Sequence, residues 1–321
     1  MKALFPKPHP GLITWAEPKK AVWMQDAQSG RCAQIGVYDP SIPGVGNKMV
    51  PCPVGFPAVG IPAVCQYEKE AGEWFTIDEI GYLETDCPDY CDAIRRLMAC
   101  RHVAAVVRKQ ELPFLRELAQ RKDAFVVDLD APYGKLGCVI MASGLGKRFG
   151  SNKLMADFQG EPMIARALSA TDGIFERRVV VTRHREVAEL CKERSVEVLL
   201  HDYPQRADTV RLGLEAVGDT AGCLFCPGDQ PLLQQETVAA LALAAVNCPA
   251  AIWRTSFGDT PGLPVLFPQW AFPELSVLPK GFGGSYVAKK YPRWVRTIPV
   301  RNPKELMDVD SPKDLQALAE Q

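Results

Sequence analysis

Hydrophobic and polar positions change rhythm along this chain. From residue 135 onward, short apolar runs alternate with longer stretches in which apolar residues recur every three or four positions. The runs at 138–142, 178–182, 196–200 and 223–226 predict strands, and the periodic stretches at 163–169, 185–194, 209–217 and 237–246 predict helices. Alternation at this pitch predicts an α/β fold, a mostly parallel sheet with helices on both faces, whose ligands sit beyond the carboxyl ends of the strands. A second, shorter alternation precedes it: strand at 74–77, helix at 89–100, strand at 103–107, helix at 112–120 and strand at 125–129. Residues 1–63 are rich in proline and glycine, show no long periodic segment and read as irregular. Within them, Gly44-Val45-Gly46-Asn47-Lys48 reads as a loop between prolines. Ala131-Pro132-Tyr133-Gly134 has the composition of a linker, which sets the expected domains at 1–132 and 135–321. A length of 321 residues also favours two domains.

The strand at 138–142 runs directly into Ser143-Gly144-Leu145-Gly146-Lys147-Arg148-Phe149-Gly150, with Lys153 close behind. Glycine lets backbone N–H groups curl around an anion without Cβ clashes. Arginine grips phosphate bidentately and lysine acts as a mobile point charge. A strand followed by such a loop is a polyphosphate cradle. Its expected nucleotide contacts are Ala142, Ser143, Gly144, Leu145, Gly146 and Lys147, with Arg148 and Lys153 as the catalytic cations. Neither GxxxxGK[ST] nor GxGxxG is present, so this is not a Walker A loop or a dinucleotide fingerprint.

A second landmark is Pro227-Gly228-Asp229-Gln230-Pro231-Leu232-Leu233, where the strand at 223–226 ends in a turn. Alone, Asp229 would be an ordinary Asx-turn residue. At a strand's carboxyl end, across from a phosphate loop, it is placed to hold Mg²⁺.

Composition narrows the partners. The chain is 47% hydrophobic and 23% charged with net charge −1, so nothing points to nucleic acid or a membrane surface. No apolar run approaches the ~18–20 residues of a membrane span, and the first residues lack the apolar stretch of a signal peptide. Eleven cysteines, an odd number scattered over the chain, fit a reducing cytoplasm better than a disulfide framework. The local pairs Cys87/Cys91 and Cys223/Cys226 lack a matching second pair or a suitably spaced histidine.

At Met141 through Leu154 the chain resembles the nucleotidyltransferases whose first loop reads roughly (L/M)-A-(A/G/S)-G-x-(G/S)-x-R-(M/F)-G-x-x-K-(L/P), and the ending Gly-x-x-Lys-Leu is most similar to the molybdenum cofactor cytidylyltransferase branch, with its MobA-like NTP transferase domain. Asp229 falls on that family's metal-binding aspartate in D-Q-P-L-L. Gly262-Leu263-Pro264-Val265-Leu266-Phe267 resembles its G-x-P-v-l-F, which implies acceptor binding at Gly262 and Pro264. Met307-Asp308-Val309-Asp310-Ser311-Pro312 resembles its D-(I/V)-D-(T/S)-P, which implies Asp308 as a second metal ligand and Asp310 at the start of the last helix. The segment around Arg206-Ala207-Asp208-Thr209 resembles the nucleotide-facing helix start, with Thr209 in place of a serine. The chain departs from the family at Lys280-Gly281-Phe282-Gly283-Gly284-Ser285, where a Gly-Asp pair is usual. The resemblance implies a GT-A-like (Rossmann-like) domain that transfers CMP from CTP to molybdopterin-type molybdenum cofactor for a molybdenum hydroxylase client. Same-fold alternatives are a guanylyl or sugar-phosphate enzyme, or a non-catalytic cofactor chaperone.

In the first domain, Asp78-Glu79-Ile80-Gly81-Tyr82-Leu83-Glu84 resembles the Walker B of small nucleoside-triphosphatases reading DEIG-x-(M/L)-E, and residues 30–37 and 55–64 loosely match that family's middle. The family's opening strand and GxxxxGK[ST] loop are missing, which implies a smaller, degenerate P-loop NTPase-like α/β domain. An NTPase acting through this domain is the third alternative, and the absent phosphate loop argues against it.

Overall fold

The computed structural model describes residues 9–43, 48–70, 74–146 and 148–319 and divides into two compact units, Met1–Ala124 and Phe125–Gln321. The first unit runs β1 (Gly11–Glu17), β2 (Ala21–Asp26), β3 (Cys32–Tyr38), β4 (Met49–Pro51), α1 (Ile61–Tyr67), β5 (Trp74–Ile80), α2 (Tyr82–Thr85), α3 (Pro88–Cys100), β6 (His102–Val107) and α4 (Pro113–Ala119). Its sheet has the order β4-β3-β2-β1-β5-β6; β1 through β4 form an antiparallel meander, and β5 and β6 run parallel to β1.

This meander corrects the reading of residues 1–63 as irregular. Its strands are short and their apolar residues do not alternate; beyond Leu12, most of β1 faces solvent. Pairing between neighbours holds them instead, including a Trp15–Trp23 stack across the β1–β2 ladder at 6.5 Å. Residues 44–47, read as a loop, lie outside the described residues. A second correction concerns 125–129, which forms no strand. Phe125 and Leu129 are exposed, and the Val126 backbone pairs with the Asn247 side-chain amide, donating at 2.7 Å and accepting at 3.0 Å.

The second unit contains β7 (Leu136–Ala142), a short hairpin of β8 (Asp157–Phe158) and β9 (Glu161–Pro162), α5 (Ile164–Ala170), β10 (Arg177–Thr182), α6 (Arg185–Glu193), β11 (Glu197–Leu200), α7 (Arg206–Val217), β12 (Gly222–Pro227), α8 (Gln235–Asn247), β13 (Ile252–Phe257), β14 (Thr260–Pro268), α9 (Phe272–Ser276), α10 (Ser285–Lys290), β15 (Val295–Pro299) and α11 (Pro312–Ala319). The sheet order is β11-β10-β7-β12-β14-β13-β15, with β14 the antiparallel member between β12 and β13. Central β7 is buried on both faces. Leu136, Cys138, Ile140 and Ala142 join the core containing α5, α6 and α8, while Val139 joins the core containing α7, α9 and α10. Between residues 136 and 247 the main strands and helices therefore fall where the sequence pattern put them, and β7 and β12 deliver the two chemical landmarks to the same sheet edge.

Candidate active site

β7 and β12 are parallel neighbours, with Cys226 opposite Ile140 and Pro227 opposite Met141. Their following turns therefore emerge side by side, and Gly228 N–H donates to Met141 O at 3.1 Å. The glycine-rich loop turns on Gly146, whose φ of +55° suits glycine. A Cβ there would also stand 2.9 Å from Ser151 O. The chain then enters a short 3₁₀ turn at Lys153–Met155, capped by the Asn152 side chain.

That turn swings Lys153 inward. Its side chain is 8% exposed, and Nζ donates to Asp229 Oδ2 at 2.7 Å, Val309 O at 2.7 Å and Asp310 Oδ1 at 3.3 Å. Arg148 donates to Asp310 Oδ2 at 2.6 Å from a mostly exposed position. The C-terminal segment is pinned here by Val309 N–H to Asp229 O at 2.9 Å, and by Gln230 Nε2 to Leu306 O at 3.1 Å and Asp308 Oδ1 at 2.9 Å. The structure thus joins Arg148, Lys153, Asp229 and Asp308 in one cluster.

Asp310 stands just before the last helix, as expected, and also belongs to this cluster. Ser311 caps the helix, its Oγ accepting from Asp314 N–H, and Asp314 accepts in return from the backbone N–H groups of Asp310 and Ser311. The Asp310 carboxylate is left to bridge Arg148 and Lys153. A second carboxylate two residues after Asp308 was the available signal.

Other expected residues take varied positions. Ala142 ends β7, and Ser143, Gly144, Leu145 and Gly146 form the loop; Lys147 lies outside the described residues. Thr209 is buried near the start of α7, whose first residues are capped by Asp208 through Gln205 N–H. Gly262 is in β14, where Leu306 fills the space a Cβ would need, and its carbonyl accepts from Arg254 at 2.9 Å. Pro264 is buried after a cis Leu263–Pro264 bond. No hydrogen bond among the described residues ties Thr209, Gly262 or Pro264 to Lys153 or Asp229.

Burial pulls the Lys153 ammonium down, but hydrogen bonds and charge from Asp229 and then Asp310 outweigh it, so its pKa sits above the usual lysine value. Burial, joined by the charge of Asp229, pushes the Asp308 carboxyl above the usual carboxylate range. Asp229 and Asp308 raise one another's cost of ionisation, and a cation between them would relieve it. Each keeps one oxygen outside the hydrogen bonds above, and the buried Gln230 Oε1 has no partner. This hard-oxygen donor set fits Mg²⁺. Among the described residues no three acidic, cysteine or histidine side chains form a closed cage. Mg²⁺ suits that arrangement, since it is usually held by one or two carboxylates plus phosphates and waters.

In the first unit, Asp78 and Glu79 lie inside β5 rather than beyond its end. Asp78 pairs with Ile13 of β1, Glu79 has φ +91°, and its carboxylate is ion-paired with Arg108. A strand beside the acidic pair does exist, which corrects the expectation of none. β1, however, turns back at Glu17 through Lys20 N–H to Glu17 O at 3.0 Å and pairs antiparallel with β2, with no phosphate loop.

Among the described residues no helix is long and apolar enough to cross a membrane, and all 11 cysteines are free thiols. Residues 22–132 match the family described as NTPase; that match begins after β1. Residues 138–294 match the MobA-like NTP transferase domain. The chain is 31% identical over 135 residues to 2-C-methyl-D-erythritol 4-phosphate cytidylyltransferase of Dehalococcoides mccartyi (strain CBDB1), covering 39% of this chain and 60% of that protein. It is 35% identical over 92 residues to 3-deoxy-manno-octulosonate cytidylyltransferase of Chlorobium phaeovibrioides, covering 27% and 36%. It is 28% identical over 102 residues to the probable molybdenum cofactor guanylyltransferase of Aquifex aeolicus, covering 32% and 49%. The chain thus spans 60% or less of the length of these relatives. Rv0371c from Mycobacterium tuberculosis H37Rv has the same fold over 59% of this chain and 99% of its own, with TM-score 0.52 at 21% identity. A nucleotidyl transferase from Methanothermobacter thermautotroptrophicus has it over 58% and 96%, with TM-score 0.51 at 19% identity. The chain therefore carries a MobA-like NTP transferase domain at residues 138–294, preceded by an NTPase-type domain at residues 22–132.

Proposed function

We propose that the second unit transfers a nucleotidyl group from an NTP to a phosphorylated acceptor and releases pyrophosphate. The observation that carries this reading is the buried Lys153 ammonium, held between Asp229 and Asp310 beside a glycine-rich loop at the carboxyl edge of β7 and β12. An acceptor phosphate oxygen bonds to the α-phosphorus, the bond to the β-phosphate's bridging oxygen breaks, and pyrophosphate leaves. Loop N–H groups hold the triphosphate. Lys153 and Arg148 neutralise charge that builds around the α-phosphorus, and Asp310 holds both until the nucleotide replaces it as their partner. Asp229 and Asp308 would hold Mg²⁺, which when bound offsets the repulsion between carboxylates and phosphates. The chain's contribution is positioning and electrostatics, without a covalent intermediate.

CTP is the donor we propose, with molybdopterin-type molybdenum cofactor as the acceptor and a molybdenum hydroxylase in the cytoplasm as client. The Gly-x-x-Lys-Leu loop ending and the two cytidylyltransferase relatives support CTP. The Aquifex relative supports the cofactor and favours GTP as the second reading. The test is a panel of ATP, CTP, GTP and UTP against molybdenum cofactor, 2-C-methyl-D-erythritol 4-phosphate and 3-deoxy-manno-octulosonate, reading pyrophosphate. Release with CTP and cofactor supports the proposal, GTP in its place moves it to guanylyl transfer, and no release with any pair overturns it.

A further inference from the structure

Two histidines hold consecutive residues of the glycine-rich loop. His201 follows β11 and His184 follows β10, at the edge where β7 delivers Ser143. His201 Nε2 lies 2.9 Å from Ser143 Oγ, and Tyr203 N–H donates to His201 Nδ1 at 3.1 Å. A backbone amide can only donate, so Nδ1 is the bare nitrogen and Nε2 carries the hydrogen. Nε2–H therefore donates to Ser143 Oγ, whose own proton goes to Val181 O at 3.0 Å. His184 Nε2 lies 2.8 Å from Gly144 O, and a carbonyl only accepts, so this nitrogen is protonated as well. In a trans peptide the Leu145 N–H then points away from His184. His201 is buried, and its own N–H donates to Thr182 O at 3.0 Å.

We propose that His201, through Ser143, and His184, on Gly144, are positioning residues that set the nucleotide loop, and that the loop is held only while His201 is neutral. This rests on the nucleotidyl-transfer reading. A second proton on Nδ1 would face the Tyr203 N–H, donor against donor; Nε2 would keep its hydrogen, so Ser143 is released because this repulsion turns the ring away. Burial and the Arg183 cation oppose that proton; Asp208 and Asp202 favour it, and the balance leaves the His201 pKa below the usual histidine value. The loop is therefore fully held above about pH 6.5 and is released as pH falls through the lowered value.

The test reads the unliganded full chain by NMR and, separately, MgCTP binding by calorimetry. At about pH 7.5, His201 Nδ1 should resonate as unprotonated and Nε2 as protonated. Ser143→Ala should shift the Nε2 signal and, like His201→Ala, the Gly144 and Gly146 amides; His184→Ala should shift Gly144. His201→Ala should weaken MgCTP binding by about tenfold, the scale of one lost hydrogen bond to a positioned group. His201→Gln keeps a donor for Ser143 but cannot titrate, so it should abolish the loss of affinity between about pH 7.5 and about pH 5.5. Protonation on Nδ1 at the higher pH, glycine amides unmoved by the variants, or unchanged MgCTP affinity in His201→Ala overturns the proposal. If the wild type binds no NTP with Mg²⁺, the functional reading fails, and the NMR arm still decides the clamp.

Discussion

Replacing Lys153 with methionine keeps the length of the side chain and removes its charge. Three acceptors then lose a donor: Asp229, the Val309 carbonyl and Asp310, which keeps Arg148. Removing one partner of a fully buried ion pair costs roughly 3–5 kcal/mol. Here the Asp229 and Asp310 side chains keep 26% and 42% exposure, and water recovers part of the loss. A cost of about 2–3 kcal/mol follows. For a unit of roughly 200 residues that is a Tm drop of about 5–10 °C. Turnover should fall by about 10²-fold or more, the scale of one transition-state charge contact. The two losses separate by their response to metal. Without the ammonium, the carboxylates are unbalanced, so millimolar Mg²⁺ should raise the Tm of Lys153→Met more than that of the wild type, while the rate stays low. The assays are continuous pyrophosphate release at saturating NTP and thermal melts with and without MgCl₂. Turnover within about threefold of wild type, well inside the effect of one such contact, would refute the role of Lys153, as would a Tm drop blind to Mg²⁺.

Arg148→Ala should also lower kcat by about 10²-fold, yet leave the melt within about 1 kcal/mol because its pair with Asp310 is exposed; a rate within error of wild type in a folded variant rejects its role. Asp229→Asn should abolish Mg²⁺-dependent turnover and weaken MgNTP binding more than metal-free NTP binding, which calorimetry with and without Mg²⁺ reads directly. Asp308→Asn should raise the Tm of the metal-free protein near pH 7, because burial and Asp229 disfavour its charge in the fold. The stability of the protonated carboxyl is present below the ordinary value and lost as pH rises through the raised one, so the gain should vanish near pH 4; an equal gain at both pH values contradicts it. Replacing both Asp78 and Glu79 with alanine should leave nucleotidyl transfer largely intact, and wild-type NTP hydrolysis that disappears in this variant would promote the first unit to a working NTPase.

The glycine-rich loop was legible because its signal is local. A buried strand, three glycines and basic side chains within one short stretch fix a shape through backbone conformation and hydrogen bonds among near neighbours. The alternation from 135 onward was legible because helices and buried strands each carry their own period. The meander of β1 to β4 was hidden because its strands draw stability from one another; the exposed half of β1 has no apolar period to read. Residues 125–129 misled in the opposite direction. Their β-prone side chains invite a strand, but what their backbone found was the Asn247 amide, which propensity does not register.

By itself, then, the sequence determined where the main strands and helices between residues 136 and 247 fall, that a glycine-rich basic loop follows β7, and that Asp229 stands at a strand end. Those are consequences of contiguous residues. Only the tertiary structure decided what Lys153 touches, that Asp310 joins the site from a position 162 residues beyond Arg148, and that His184 and His201 secure the loop. A side chain's hydrogen-bond partner depends on which strand ends the sheet order makes neighbours. Residues far apart in the chain acquire a common role only when packing brings their strand ends together and burial makes each unmet hydrogen bond costly.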